Sequence, residues 1–101
     1  MTYRMFIDDE RFPPDDGWII VRSSNEAKET VLNNGYPNHI SFDHDLGGAD
    51  TSMNFLHWLL NKIMDDDVNL PFTWYVHSQN PIGKQNIESL IYSFERIKKC
   101  Q

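Results

Sequence analysis

Four short apolar runs alternate with segments of helical periodicity, and that alternation is what most restricts the folds open to this chain. Tyr3–Ile7, Trp18–Val21, His39–Phe42 and Phe72–Val76 have strand length and strand composition. Between the second and third runs, Ser23 and Glu26 have capping-box spacing, and Ala27, Val31 and Leu32 follow at helical intervals up to Asn34-Gly35. A second helix is expected from about Asp50-Thr51 to Met64, with Met53, Leu56, Leu59, Leu60, Ile63 and Met64 on its buried stripe. Asp65, Asp66 and Asp67 end it, because acidic groups are disfavoured at the negative end of a helix dipole. The last helix carries Ile87, Leu90, Ile91, Phe94 and Ile97 on one face, with Lys98 and Lys99 favourably placed in its final turn.

The resulting order is β, loop, β, α, β, α, β, α. It predicts an α/β fold: one small domain over residues 1–101, with a mostly parallel sheet of about four strands and flanking helices. Pro13, Pro14 and Gly17 mark the first connection as a loop, with no room for an ordinary crossover helix. The second strand therefore pairs either parallel, after a compact crossover, or antiparallel.

In open sheets of this kind chemistry gathers beyond the carboxyl ends of the strands. Three polar clusters fall at such ends: Asp8-Asp9-Glu10, Asp43-His44-Asp45 and His77-Ser78-Gln79-Asn80. Carboxylates brought together there repel, and a hard divalent ion, Mg²⁺ or Mn²⁺, relieves that repulsion through oxygen ligands. Asp8, Asp9 and Asp43 are the expected ligands, with Asp45 fourth; the alternative is that they are solvated turn residues. His44 and His77 can exchange protons near neutrality and are the expected acid–base pair; the alternative for each is a histidine satisfied by local hydrogen bonds. Ser78, Asn80, Lys84 and Asn86 surround the start of the last helix, where free N–H groups favour an anion, and Gly83 permits close approach. Arg11, beside the acidic run, either clamps a phosphate or neutralises its neighbours. His39 and His57 are read as structural. Trp18, Trp58, Trp74 and Phe72 are read as core rather than as stacking platforms for bases.

A net charge of −6 argues against binding long duplex nucleic acid, whose affinity comes mainly from Lys and Arg. A nucleotide or an RNA end remains open. The amino terminus lacks signal-peptide features and no apolar run approaches a membrane span, so a cytoplasmic protein without membrane attachment is expected. The lone Cys100 offers neither an internal disulfide nor a zinc cage and is read as an incidental thiol.

The segments FIDDERFPP, ISFDHDLGG and VHSQNPIGKQNI, spread from Phe6 to Ile87, resemble the motifs of the cyclic-phosphate processing receiver-like domain family. These are small proteins of phages and bacteria related to two-component receiver domains. The resemblance implies a reduced receiver-like, flavodoxin-like fold. It also implies Mg²⁺ held by an acidic pair after strand one and an Asp after strand three, positions matched by Asp8, Asp9 and Asp43, with Ser78 matching the Ser or Thr that ends strand four. The chain departs from a signalling receiver in lacking a helix between strands one and two and a fifth strand with its lysine, a place Lys84 does not fill.

The resemblance implies that His44, His77, Asn80 and Asn86 serve the processing of cyclic phosphate ends. The expected activity is a metal-assisted phosphoesterase acting on 2′,3′-cyclic phosphate RNA ends or cyclic nucleotides, with His44, His77 and Asp45 as its catalytic residues. A different class of reading is a non-catalytic module binding a nucleotide or a partner protein, for example a phage factor in the host cytoplasm. A third is a phosphoacceptor receiver using Asp43.

Overall fold

The computed structural model describes residues 2–99, except that the Lys99 side chain falls outside the description; Cys100 lies outside the described residues. The elements are β1 (Arg4–Ile7), β2 (Trp18–Val21), α1 (Ser24–Asn34), β3 (His39–Phe42), α2 (Ser52–Asp65), β4 (Thr73–Val76) and α3 (Pro81–Lys99). The four strands form one sheet in the order β2-β1-β3-β4. Every neighbouring pair is parallel, which settles the direction of β2. None of the helices among the described residues is long and apolar enough to cross a membrane.

The order has one reversal. From β2 the chain moves across the sheet to β3 and then β4, whereas from β1 it moves the other way to β2. Right-handed connections put crossovers that travel in opposite directions on opposite faces of a sheet. The two helical crossovers, α1 and α2, therefore share one face, and the β1–β2 connection falls to the other. That connection is a loop rather than a helix, so the second face receives only a partial cover.

Register makes the two faces explicit. Met5, Ile19, Ile40 and Trp74 are paired across the sheet, as are Ile7, Val21, Phe42 and Val76. These side chains join Ala27, Val31, Phe55, Leu56, Leu59, Leu60, Ile63, Ile87, Ile91 and Phe94 of the helices in the core or at its margin. The alternate residues, Arg4, Phe6, Trp18, Ile20, His39, Ser41, Thr73 and Tyr75, necessarily point to the other face.

Trp18 therefore corrects the sequence expectation: it lies on the loop-covered face, edge-on to Phe6 and His39, not in the helix-packed core. Two further corrections concern helix stripes. Leu32 and Ile97 fit the helical period but are exposed, because each stripe is wider than the strip of sheet its helix covers. Phe55, absent from the expected stripe of α2, is fully buried.

Helix α1 begins as the capping spacing requires, with Ser23 Oγ accepting from the Glu26 N–H at 3.1 Å. Its first residue is also tied to the segment before α2. Asp50 accepts from the Ser24 N–H at 2.8 Å and from Ser24 Oγ at 2.6 Å, and Asn54 Nδ2 adds a third bond at 3.0 Å. Burial would raise the Asp50 carboxyl, but these donors outweigh it and hold it below the usual range.

The bonds to Asp50 stabilise the seam between α1 and the β3–α2 loop. Since hydrogen bonds to charged groups contribute about 1.5–3 kcal/mol each, and Ser24 Oγ is left buried without its partner, Asp50→Ala should lower stability by about 2–3 kcal/mol. Urea unfolding checks this, and a change of less than about 0.5 kcal/mol, the range of an ordinary surface substitution, would show the seam to be unimportant.

Candidate functional site

The sheet ladder runs one residue beyond β1, β3 and β4. Asp8 N–H donates to Val21 O at 3.1 Å, Asp43 N–H to Ile7 O at 2.8 Å, and His77 N–H to Phe42 O at 2.9 Å. The first polar residue after β1, β3 and β4 is thereby fixed by the same register that builds the core. The three sequence clusters meet at this edge.

Asp8 is fully buried. Its Oδ1 accepts from the N–H groups of Glu10 and Arg11, both at 2.9 Å, and its Oδ2 shares a hydrogen bond with His77 Nε2 at 2.9 Å. Burial pushes this carboxyl up, yet the Arg11 and Glu10 N–H groups and His77 outweigh it, so Asp8 lies below the usual carboxylate range. Asp43 is the opposite case. Burial and the nearby Asp8 charge push it up, against the Ser78 hydroxyl, the His44 N–H and His77.

Asp9 is exposed beside them, and one oxygen from each of Asp8, Asp9 and Asp43 lies within 4.8 Å of the others. An all-oxygen set at this spacing fits a hard divalent cation. The repulsion that raises Asp43 is the feature such a cation would relieve.

The two histidines face different ways. The His77 ring lies on the loop-covered face, stacked on Phe6 at 4.5 Å and 5°, with Nδ1 bonded to Ser41 Oγ at 2.8 Å. His44 sits against α3, its Nδ1 3.0 Å from Asp45 Oδ1. Among the described residues they share no hydrogen bond or ring contact. Ser41, the partner of His77, is a residue that the sequence reading passed over; its signal was a hydroxyl alternating with Ile40 and Phe42 inside an apolar strand.

A second chain of bonds joins β3 to β4. The Ser78 hydroxyl favours the charged form of Asp43 and accepts from the Asn80 N–H at 3.1 Å. Asn80 caps α3, its Oδ1 accepting from the Gly83 N–H at 3.0 Å, while its Nδ2 donates to Asp45 at 3.2 Å. Hydrogen bonds from His44 and Asn80 hold Asp45 below the usual range.

These residues border a polar cavity of about 460 Å³ lined by Asp9, Arg11, Asp43, Asp45, Ser78 and Asn80, with Glu10, Gln79 and the Gly47-Gly48 turn completing it. Lys84 and Asn86, expected to bind phosphate, are exposed on α3 and do not line this cavity. Gly83 also departs from expectation. The space beside it is filled by His44, since a Cβ there would collide with His44 Cγ and Cβ. His39 bonds Thr73 at 2.7 Å, and His57 is exposed on α2.

The family model described as "Cyclic-phosphate processing Receiver domain" matches residues 3–93, which contain every residue of this cavity. No curated protein and no solved structure matches the chain.

Two stability effects follow from this geometry. Gly83→Ala gains helix preference but collides with His44 near its backbone, so a net loss of about 1–2 kcal/mol is expected in denaturant unfolding. An unchanged midpoint would mean that α3 moves away freely.

The raised Asp43 carboxyl binds its proton more tightly in the folded state. Its contribution is therefore full below the unfolded value, near ~4, and is lost as pH rises through the folded value. The lowered Asp8 acts oppositely, its contribution being present above ~4 and lost as pH falls through the folded value. Asp43→Asn should accordingly gain stability relative to the parent protein between about pH 4 and neutrality. A difference that stays constant over that range would contradict the raised carboxyl.

Proposed function

Because the chain belongs to the cyclic-phosphate processing receiver domain family, we propose that it opens a cyclic phosphate at the polar cavity beyond β1, β3 and β4. The substrate would be a 2′,3′-cyclic phosphate at an RNA end or a cyclic nucleotide. The observation that carries this reading is the convergence of all three polar clusters on one cavity, lined by Asp9 and Asp43 of a closely spaced carboxylate trio. The negative charge of the chain agrees with a short substrate rather than a long duplex.

The reaction adds water to phosphorus and breaks one ring P–O bond, leaving a phosphate monoester and a hydroxyl. One proton must leave the water and one must reach the departing oxygen. In this reading His44, whose Nδ1 is bonded to Asp45 and whose Nε2 has no partner among the described residues, takes the water proton, which requires its ring to turn from Gly83 into a cavity that it does not line. His77 is the second proton-bearing group. Both its nitrogens are engaged, by Ser41 and Asp8, so it serves the leaving oxygen only after exchanging one of those partners.

Arg11, Ser78 and Asn80 line the cavity as donors for phosphoryl oxygens and for the charge that develops on them. Asp8, Asp9 and Asp43 would hold Mg²⁺ or Mn²⁺, which when bound supplies Lewis-acid polarisation of a phosphoryl oxygen.

The engagement of both His77 nitrogens favours one further reading, a module that binds a nucleotide without turnover. Mass spectrometry of ligand released on denaturation separates the two, through an intact cyclic phosphate or an opened product. Purified protein with Mg²⁺ or Mn²⁺ should open a 2′,3′-cyclic phosphate oligonucleotide or a cyclic nucleotide. His44→Ala and His77→Ala should each lose at least ~10²-fold in rate, whereas Lys84→Ala and Asn86→Ala should keep it. No turnover across a substrate and metal panel would overturn the catalytic reading.

A further inference from the structure

The β1–β2 loop covers its face of the sheet only in part, and what it leaves is an apolar cavity of about 410 Å³. Its walls include Phe6, Phe12, Trp18, Tyr75 and His77. The stacked Phe6–His77 pair forms the floor, and Trp18 stands edge-on to Phe6 at 5.8 Å and 77°. Phe12 and Tyr75 are 75% and 59% exposed, an unusual state for two aromatic rings beside one another's cavity.

Charge decides what kind of occupant suits this place. In a chain of net charge −6, Arg4, Arg11 and Arg22 all stand around this face. Arg4 lies over Trp18 at 4.3 Å and is paired with Asp15, whereas Arg22 lies over Phe12 at 4.8 Å and donates only to the Asp8 and Arg11 carbonyls. Among the described residues, neither Arg11 nor Arg22 has a carboxylate partner. Aromatic rings on an uncovered sheet face, with guanidinium groups beside them, suit the bases and backbone of single-stranded nucleic acid.

The cavity also adjoins the polar one. Arg11 lines both, and His77 reaches from the floor of the apolar cavity to Asp8 of the carboxylate trio.

We propose that this uncovered face is a base-stacking subsite, in which Phe12, Trp18 and Tyr75 seat the nucleobase next to the phosphate held in the polar cavity. The subsite deepens the proposed function and rests on it for the position of the phosphate. It prefers an unpaired nucleotide, because a base inside a duplex cannot present its ring to a protein face.

The test uses a single-stranded RNA trinucleotide ending in a 3′-phosphate, which has no ring to open, and the same trinucleotide with an abasic last residue. Calorimetry should show tighter binding of the first. Tyr75→Ala and Phe12→Ala remove exposed rings and should each weaken it by about 5- to 150-fold, the range expected for one stacked base, while leaving the abasic ligand unchanged. Equal affinity for the two ligands, no binding of either, or no effect of the variants would overturn the subsite. So would a dimer that these variants dissociate and RNA leaves unchanged, since a second copy would then be the occupant.

Turnover separates this proposal from the reading beneath it. Ring opening at equal efficiency with and without a base removes the subsite and leaves the processing activity. Base-dependent binding without any ring opening does the reverse.

Discussion

Two carboxylates, Asp8 and Asp43, are buried side by side at the ends of adjacent parallel strands, and the rest of the structure is arranged around that arrangement. Burying like charges is unfavourable unless each has compensating partners. The fold supplies them unequally. Asp8 receives two backbone N–H groups and His77, and it lies below the usual range. Burial raises Asp43, the Asp8 charge adds to this, and its partners do not offset them. One partner of the pair is thus built to stay ionised, and the other is left under strain that a cation or a bound donor would relieve.

The position of that pair follows from topology. The chain reverses direction across the sheet at β1, so the carboxyl ends of β1 and β3 diverge into connections on opposite faces. The cleft between them opens where Asp8 and Asp43 are held by ladder bonds. The same reversal sends the β1–β2 connection to the face away from the helices. With no helix there, Phe6, Trp18, Tyr75 and His77 are left beside a cavity instead of inside a second core layer. A single economy in the chain, the missing crossover helix, thereby shapes both the site and the aromatic surface next to it.

Much of this was legible in the sequence because the signals were local. Strand and helix periods placed the seven elements of the described residues, and the polar residues at three strand ends marked the edge where they meet. Less legible was anything set by which face a residue occupies. Trp18 has the composition of a core residue, but register turns it away from the helices. Gly83 stands at a helix start, where an anion is a natural guess, yet the packing of His44 explains it. The direction of β2, the Ser41 partner of His77 and the Asp50 tie to α1 all depend on contacts between segments distant in sequence. Periodicity carries no information about those contacts.

The proposal that Asp8, Asp9 and Asp43 would hold a divalent ion is tested most directly by thermal unfolding. A cation that binds only the native state adds about 2.7 kcal/mol at a hundredfold excess over its dissociation constant. At pH 7.5, millimolar Mg²⁺ or Mn²⁺ should therefore raise the melting temperature above that in chelator, and Asp43→Asn should shrink the shift while raising the midpoint without metal. Equal melting temperatures of the parent protein in metal and in chelator would contradict the account and leave the three carboxylates as ordinary groups of a polar edge.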